Sequence, residues 1–298
     1  MSDRSPTGCR LPELGPGLSV VLLGLASAVT WGAGDFGGGL LSRRAPLLGV
    51  VALTQVVGMA AALAVAAGRG EPVPQGADLG WAVATGVAGV IGMTSLYRGL
   101  AVGRMGVVAP TTGVLAAVIP VTVGFATEGL PPPAVLIGIA VALVAVVVVT
   151  RSPAHDDGRP SGVRWALTAG VAIGLFNVFV GQFSGAGAFG PLVVIRLVQT
   201  VILGVLIVTW RQPWRIDREI VPKLVGIGLL DMAGNACFIL AAQTGQLAIA
   251  AVLSSLYPVV TVLLAVTVLR ERVTRSHLLG IGLTAAAILL IGAGSATL

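Results

Sequence analysis

Ten long apolar stretches, separated by short polar segments, fill the chain from residue 18 onward. Each stretch is close to the roughly 20 apolar residues that a helix needs to cross the hydrocarbon core of a bilayer. The pattern therefore predicts an all-α membrane protein with ten transmembrane helices. The helices expected in the first half are Leu18–Leu40, Pro46–Ala67, Leu79–Ala101, Gly106–Thr127 and Pro132–Thr150. Those expected in the second half are Val163–Phe183, Phe189–Thr209, Pro222–Gln243, Leu247–Leu269 and Ser276–Ala296.

Composition agrees with a membrane location and argues against other classes of protein. Charged residues are 10% of the chain, against about 25% in soluble domains, and the mean hydropathy is +0.98. The net charge of +6 does not indicate nucleic-acid binding, because the cations are scattered through short loops and no polar domain carries them. Only two histidines are present, and neither an HExxH motif nor a metal-ligand cluster occurs. We therefore expect neither an enzyme nor a metal or other cofactor.

The chain also looks like two copies of one five-helix unit. A polar segment, residues 151–162, separates residues 18–150 from residues 163–298, and residues 1–17 form a polar tail. Because five is an odd number, the second unit must enter the membrane from the opposite side. Inverted-topology repeats of this kind build transporters with a solute site near the midplane, so we expect two such repeats around a central cavity. Features at corresponding positions of the two units are Gln55 and Gln199, Gly86 and Gly226, and Ile119-Pro-Val and Tyr257-Pro-Val.

Three stretches carry a family resemblance: Trp31-Gly-Ala-Gly-Asp-Phe-Gly, Leu230-Asp-Met-Ala-Gly-Asn, and Ala251-Val-Leu-Ser-Ser-Leu-Tyr-Pro-Val followed by Glu271-Arg-Val. From residue 18 onward, the chain resembles the drug/metabolite transporter superfamily and its EamA-type ten-helix branch. The resemblance implies a basket-like bundle whose cavity is lined by helices one, three, four, six, eight and nine, with helices five and ten at the periphery. It also implies a secondary transporter of a metabolite, an amino acid or a drug-like compound, with export favoured over import.

Polar side chains inside the predicted helices are the candidate site residues, because ionisable groups are costly in hydrocarbon and usually face a cavity or a partner. Asp35 follows Trp31 by one turn on the same face of the first helix. We expect Asp35 to bind a proton or a cationic solute in the cavity. The alternative is an interfacial carboxylate that reaches the lipid headgroups or pairs with Arg43 or Arg44.

Asp231 and Asn235 lie one turn apart in the eighth predicted helix and therefore share a face. They are expected either to line the cavity or to form a hydrogen bond between helices. A buried and unpaired Asp231 would be able to carry protons and couple transport to a proton gradient. Arg196, in the seventh helix, is expected to form an ion pair with Asp231 or to snorkel to the interface. Its alternative role is recognition of a solute carboxylate or phosphate.

Three further residues are assigned to the cavity. Tyr97, at the end of the third helix, either stacks on a solute or anchors the helix at the interface, and Asn177 lies in the sixth helix ahead of a glycine-rich segment. Tyr257 precedes Pro258 in the ninth helix. Because proline removes a backbone donor, Pro258 is expected to act inside this helix as a hinge or as a static kink.

The functional alternatives to a carrier are a channel and a membrane scaffold or receptor. Scattered rather than ringed charges argue against a channel, and the sequence shows no soluble module with which a receptor could signal. The absence of a GxxxxGK[ST] loop argues against direct use of ATP. The expected partners are a small-molecule solute, membrane lipid and protons, and the expected location is the bacterial inner (plasma) membrane, as a monomer or homodimer.

The side of the membrane on which the termini lie is left open by two opposing indications. Thirteen of the eighteen Lys and Arg residues fall in the five predicted loops of one face, and three fall on the other. Because cations prefer the cytoplasmic side, this distribution places both termini outside. The family resemblance instead places both termini in the cytoplasm.

Overall fold

The structure, a computed structural model, describes residues 16–128, 133–151, 160–183, 187, 189–242, 253–270 and 275–295. Within these ranges the chain forms ten α-helices and no strand. The helices of the first half are α1 (Pro16–Leu41), α2 (Leu47–Arg69), α3 (Gly76–Val102), α4 (Met105–Glu128) and α5 (Pro133–Arg151). Those of the second half are α6 (Val163–Val180), α7 (Phe189–Thr209), α8 (Val221–Ala242), α9 (Tyr257–Val268) and α10 (Arg275–Ser295).

The helices have the length and apolar character of membrane spans. Within the described ranges, α1, α2, α3, α6, α7 and α8 are long and apolar enough to cross a bilayer, and shorter apolar segments lie in α4, α9 and α10. Many large apolar side chains, such as Leu63, Val205 and Leu289, are exposed on the outer surface of the bundle. Exposed apolar side chains of this number suit contact with lipid rather than water, so the protein is a multi-pass membrane protein.

The largest departure from the predicted helices is in the ninth. The sequence pattern predicts a helix over Leu247–Leu269, whereas α9 begins at Tyr257, and residues 243–252 lie outside the described ranges. Pro258 therefore lies in the first turn of α9, where its missing N–H has no intrahelical partner to lose. The preceding backbone forms tight i→i−3 bonds, from Leu256 N–H to Leu253 O at 3.2 Å and from Val259 N–H to Leu256 O at 2.9 Å. Leu253 and Ser254 are also helical, so Pro258 follows a two-residue interruption, and its role as a hinge or a static kink stays a prediction.

Glycines allow neighbouring helices to approach closely. The Cα of Gly32 on α1 lies against the Tyr257 carbonyl and the Val260 side chain of α9, and Gly170 on α6 lies against Leu115 of α4. A side chain at either glycine would collide with the facing helix. Small residues have this role in membrane bundles because close backbone approach replaces the hydrophobic driving force that lipid removes.

The packing of the helices is preserved when the two halves of the chain are exchanged. The nine most extensive helix pairs include α5 with α10, α2 with α7, and α4 with α9, each of which maps onto itself when α1–α5 are exchanged with α6–α10. The other six pairs fall into three sets of two, in which the exchange converts one pair into the other. It converts α1–α8 into α3–α6, α1–α9 into α4–α6, and α2–α8 into α3–α7. α5 and α10 pack mainly on each other and on α4, so they lie at the periphery.

Contacts between helix ends identify two faces of the bundle. At one face, Arg43 Nη2 donates a hydrogen bond of 3.1 Å to the carbonyl of Leu100, and the backbone of Gly103 lies against that of Gly162. These contacts join the α1–α2, α3–α4 and α5–α6 connections. We call this side the arginine-rich face, because these connections, the α7–α8 loop and the helix ends beside them contain ten of the eighteen Lys and Arg residues.

α2 and α7 cross the bundle in opposite directions. Near the start of α2, Gly49 lies against the carbonyl of Trp214, in the loop that follows α7. Beyond the end of α2, Glu71 Oε2 accepts hydrogen bonds from the backbone N–H groups of Phe189 (2.7 Å) and Gly190 (3.2 Å), at the start of α7. The α7–α8 loop therefore belongs to the arginine-rich face, whereas the α2–α3 and α6–α7 connections share the opposite face.

Candidate functional site

A buried arginine joins three helices near the middle of the bundle. Arg196, two turns into α7, is only 5% exposed. Its Nη2 is paired with Asp231 Oδ2 in the middle of α8, and its Nη1 donates to Gln55 Oε1 on α2 and, at 3.3 Å, to Gln199 Oε1. Gly58 on α2 leaves room beside the guanidinium. Of the roles considered from the sequence, the geometry corresponds to the ion pair with Asp231.

Asp231 and Asn235 share a face of α8, but Asn235 is bonded within its own helix. Its Nδ2 donates to the backbone carbonyl of Asp231 at 2.7 Å, and its side chain is buried. The Asp231 side chain is 17% exposed and is paired with Arg196. To carry protons, Asp231 would need an unpaired carboxyl group, and in this structure the carboxyl group is paired.

Asp35 lies beside this group of polar residues. Its carboxylate is within electrostatic range of Asp231, Tyr97 and Tyr257, and within the described part of the chain it forms no hydrogen bond or salt bridge. Tyr97 is buried, and its ring lies against Gly38 of α1, one turn beyond Asp35. The structure thus brings Asp35 and Tyr97 close to Asp231 and Arg196.

Aromatic side chains border Asp35 on the side of its preceding helical turn. The Trp31 ring lies 5.8 Å from that of Phe238 on α8 and 6.4 Å, edge to face, from that of Tyr257 on α9. The backbone of Gly234 lies directly against the Trp31 indole, which brings α8 close to α1. Tyr257 is buried, and its hydroxyl group has no hydrogen-bond partner among the described residues. Trp31, Tyr257, Phe238 and Asp35 are called the aromatic–carboxylate group below.

Asn177 is the one predicted site residue that the structure does not bring to these others. Its side chain is exposed on α6, and its Nδ2 lies 3.4 Å from the carbonyl of Ala116 on α4. Conversely, the sequence pattern indicates Gln55 and Gln199 only as corresponding positions of the two repeats, and it does not indicate Phe238 as a site residue. A glutamine within an apolar helix is itself a signal, since a polar side chain in hydrocarbon needs a partner. Phe238 gave no comparable signal among so many apolar residues.

Closely packed side chains surround the α3–α4 connection and the first turns of α4. Leu100, Met105, Thr111 and Thr112 are fully buried, and Tyr97 almost so. Two pockets of about 250 and 260 Å³ lie at the arginine-rich face, lined by residues 102 with 160–165 and by residues 212–215, and no candidate site residue lines either. Neither of these two pockets is the central cavity implied by the family resemblance.

The described residues also form no metal site. No group of three or more His, Cys, Asp or Glu side chains able to hold a metal ion occurs among them.

Comparisons with known proteins agree with these features. Residues 160–293 match the EamA-like transporter family, so an EamA-like transporter domain occupies α6 to α10, consistent with the wider drug/metabolite transporter superfamily. A solved structure described only as "Crystal structure of protein" is similar with a TM-score of 0.61 and 16% identity, over 91% of this chain and 96% of that chain. This likeness concerns the fold alone. A comparison with curated protein sequences gives no match.

Proposed function

We propose that the protein is a secondary carrier that moves a small organic solute across the membrane by alternating access. The observation that carries the proposal is the group of charged residues deep in the bundle, where helices of both halves meet. Asp35 comes from α1, while Arg196 and Asp231 come from α7 and α8. Carriers built from repeats hold their solute and coupling ions at such a junction, near the bilayer midplane.

The energetic cost of these residues supports a functional role. An Asp or Arg at the centre of a membrane helix costs about 2.5–3.5 kcal/mol on insertion scales. Apolar residues of similar size pack at least as well as a buried ion pair. Stability therefore gives no reason for two carboxylates and a guanidinium in this position, whereas solute binding does.

The architecture supports two inverted repeats, residues 18–150 and 163–298. Exchanging α1–α5 with α6–α10 preserves the main helix pairs. The equivalent helices α2 and α7 are antiparallel, as the contacts at both of their ends require. Two units related in this way are able to close the bundle at one face or at the other, which is the basis of alternating access.

Proton coupling is assigned to Asp35 rather than to Asp231. The ionisable groups within range of Asp35 are Asp231, Tyr97 and Tyr257, and the single guanidinium of the group, Arg196, is paired with Asp231. Among the described residues, one negative charge is therefore left without a partner in a low-dielectric region. A proton or a cationic solute neutralises it. Exchange between the two at one carboxylate would couple export of the solute to proton entry.

The two rival functions predict different behaviour. A channel would conduct without saturation, and a scaffold or receptor would move no solute. The protein is assigned to the plasma membrane of a bacterium, with the solute, lipid and protons as its partners, as a monomer or homodimer.

The test is counterflow with purified protein in liposomes. Vesicles preloaded with unlabelled amino acids, amines, carboxylates or sugars are given the labelled compound, with and without an imposed pH gradient. We expect saturable, trans-stimulated uptake for at least one class, and we expect Asp35→Asn to abolish the response to the pH gradient. Flux that rises linearly with concentration for every compound would indicate a channel. An absence of flux for the whole panel, in vesicles and in cells, would favour a scaffold.

A further inference from the structure

The aromatic–carboxylate group has the composition of a site for an organic cation. Trp31 lies on the helical turn that precedes Asp35, and its ring centre is 5.8 Å from that of Phe238 and 6.4 Å from that of Tyr257. The faces of aromatic rings attract cations, and ammonium groups bearing alkyl substituents bind in such aromatic cages. A carboxylate one turn away on the Trp31 helix adds the opposite charge.

The charge balance of the surrounding residues favours a positively charged occupant. Arg196 is held by Asp231, Gln55 and Gln199, so its positive charge is already paired. Asp35 has no ion-pair partner within the described part of the chain and lies within range of the negative charge of Asp231. An anion brought here would face two carboxylates, whereas a cation would neutralise Asp35.

Two further features distinguish an organic ammonium ion from a proton or a metal ion. The Tyr257 hydroxyl group is buried and has no hydrogen-bond partner among the described residues. A proton would neutralise Asp35 but would give this hydroxyl group no partner. A metal ion prefers several oxygen ligands, whereas ring carbons form most of this surface. Trp31, Asp35 and Phe238 are only half-buried, so part of the group remains accessible to a solute.

We propose that Asp35, Trp31, Tyr257 and Phe238 form the binding site for an organic ammonium ion with an apolar body. The inference rests on the proposed carrier function for its physiological meaning, but binding is measurable without transport. Asp35 makes the ion pair, Trp31 and Phe238 contact the alkyl groups around the nitrogen, and the Tyr257 hydroxyl group accepts a hydrogen bond where the ammonium carries a proton.

The test is calorimetric titration of the purified full-length protein with benzyltrimethylammonium, whose charge does not depend on pH. Benzyl alcohol and benzoate serve as the neutral and anionic counterparts. We expect benzyltrimethylammonium to bind at least about tenfold more tightly than either. Asp35→Asn should weaken its binding about tenfold, and Trp31→Leu about two- to thirtyfold, the range expected for a lost cation–π contact.

The chain offers matched controls for both substitutions. Trp81 stacks on Phe179, 5.7 Å away, in an aromatic pair between α3 and α6 that contains none of the proposed residues. Asp217 is an exposed carboxylate in the α7–α8 loop. Trp81→Leu and Asp217→Asn should bind the ammonium ion as the unmodified protein does. If Trp31→Leu does not fold, Trp31→Phe retains an aromatic face and should lose less affinity than Asp35→Asn.

Equal affinity for the three ligands, or binding that Asp35→Asn leaves unchanged, would overturn the site. The same ligands in the liposome assay separate this failure from failure of the carrier proposal. Counterflow of another solute without ammonium binding would reject the site and retain the carrier. Ammonium binding that depends on Asp35, with no counterflow of any solute, would retain the site and reject the carrier.

Discussion

At the residue scale, Arg196 shows how a guanidinium can be kept deep in an apolar bundle. Its planar guanidinium group donates hydrogen bonds to one carboxylate, that of Asp231, and to two amide oxygens, those of Gln55 and Gln199. The two glutamines occupy corresponding positions of the two halves, yet both bind the same arginine. The pseudo-symmetry of the helices therefore supports a polar centre that is itself asymmetric, because only one half supplies the guanidinium and its carboxylate.

Removing one member of this ion pair should be more damaging than removing both. Asp231→Asn leaves the buried Arg196 charge unpaired, and we expect a loss of about 3 kcal/mol in the free energy of unfolding. The double variant Asp231→Asn/Arg196→Gln removes both charges and should recover most of that loss. The measurement is thermal unfolding in detergent, followed by tryptophan fluorescence, with Asp217→Asn as the control. A single variant as stable as the unmodified protein would show that the pair contributes nothing to the fold.

At the scale of elements, the end of α2 is tied to the start of α7 by an ionic contact outside the spans. Glu71 accepts the first free N–H groups of α7 and pairs with Arg69, whose guanidinium lies 5.7 Å from the centre of the Phe189 ring. A carboxylate at a helix N-terminus also interacts favourably with the helix dipole. At the other end of α2, the contact between Gly49 and Trp214 O involves no charge. The two ends of α2 are therefore held by different kinds of contact.

The stability conferred by Glu71 should depend on pH in a defined direction. Burial opposes ionisation of Glu71, but the backbone hydrogen bonds from Phe189 and Gly190 and the contact with Arg69 outweigh it, so its pKa lies below the ordinary value of 4.5. A lowered folded-state pKa gives stability that is present above the ordinary value and is lost as pH falls through the lowered one.

Glu71→Gln should therefore lower the free energy of unfolding by about 1 kcal/mol at pH 7, the scale of a helix-capping interaction. The difference from the unmodified protein should shrink as the pH falls below the ordinary value of 4.5, because Glu71 gains a proton first in the unfolded and then in the folded protein. Thermal unfolding in detergent across this range measures it, and Glu219→Gln, in the exposed α7–α8 loop, is the matched control. A difference that does not change between pH 7 and pH 3.5 would contradict the ionic interpretation.

At the scale of the whole molecule, the contacts between helix ends assign the described connections to two faces. The α1–α2 and α7–α8 connections belong to the arginine-rich face, and the α2–α3 connection belongs to the other. The cation count would place the arginine-rich face in the cytoplasm. The family resemblance favours the reverse orientation.

Cysteine labelling in intact cells tests both the faces and their orientation. In a variant without Cys9 and Cys237, a single cysteine is placed at Arg44, Gln212 or Gln75 and exposed to a membrane-impermeant maleimide. Positions 44 and 212 should behave alike and opposite to position 75, because the fold places them on different faces. By the positive-inside rule, position 75 should be the one labelled from outside. Labelling of positions 44 and 212 from different sides would exclude the inverted arrangement.

Much of the helical architecture follows from the sequence because lipid imposes a strong local rule. Each span must satisfy its own backbone hydrogen bonds and show an apolar surface, so α1, α2, α7 and α8 are found within a few residues of their predicted bounds. The interruption just before α9, at residues 255–256, shows where this local rule does not predict the structure. An apolar run does not distinguish a continuous helix from one that is interrupted, and there the position of Pro258 decides where the helix starts.

Candidate site residues were predictable by type but not by partner. Asp35, Asp231 and Arg196 are conspicuous because charge in hydrocarbon is costly. Their arrangement was not predictable, since α1, α2, α7 and α8 are brought together by packing between residues up to about two hundred positions apart. Asn177 met the same criterion of polarity, but α6 presents its side chain at the surface.

The sequence by itself determined that this chain crosses the membrane many times, and which of its polar side chains must bear the cost of doing so, because hydropathy acts residue by residue along a helix. Only the tertiary structure decided that the charge of Arg196 is paired with Asp231 while Asp35 is left beside an aromatic cluster. That outcome depends on which helices touch and at what depth. It arises from close packing at small residues such as Gly32 and Gly234, which no local pattern specifies.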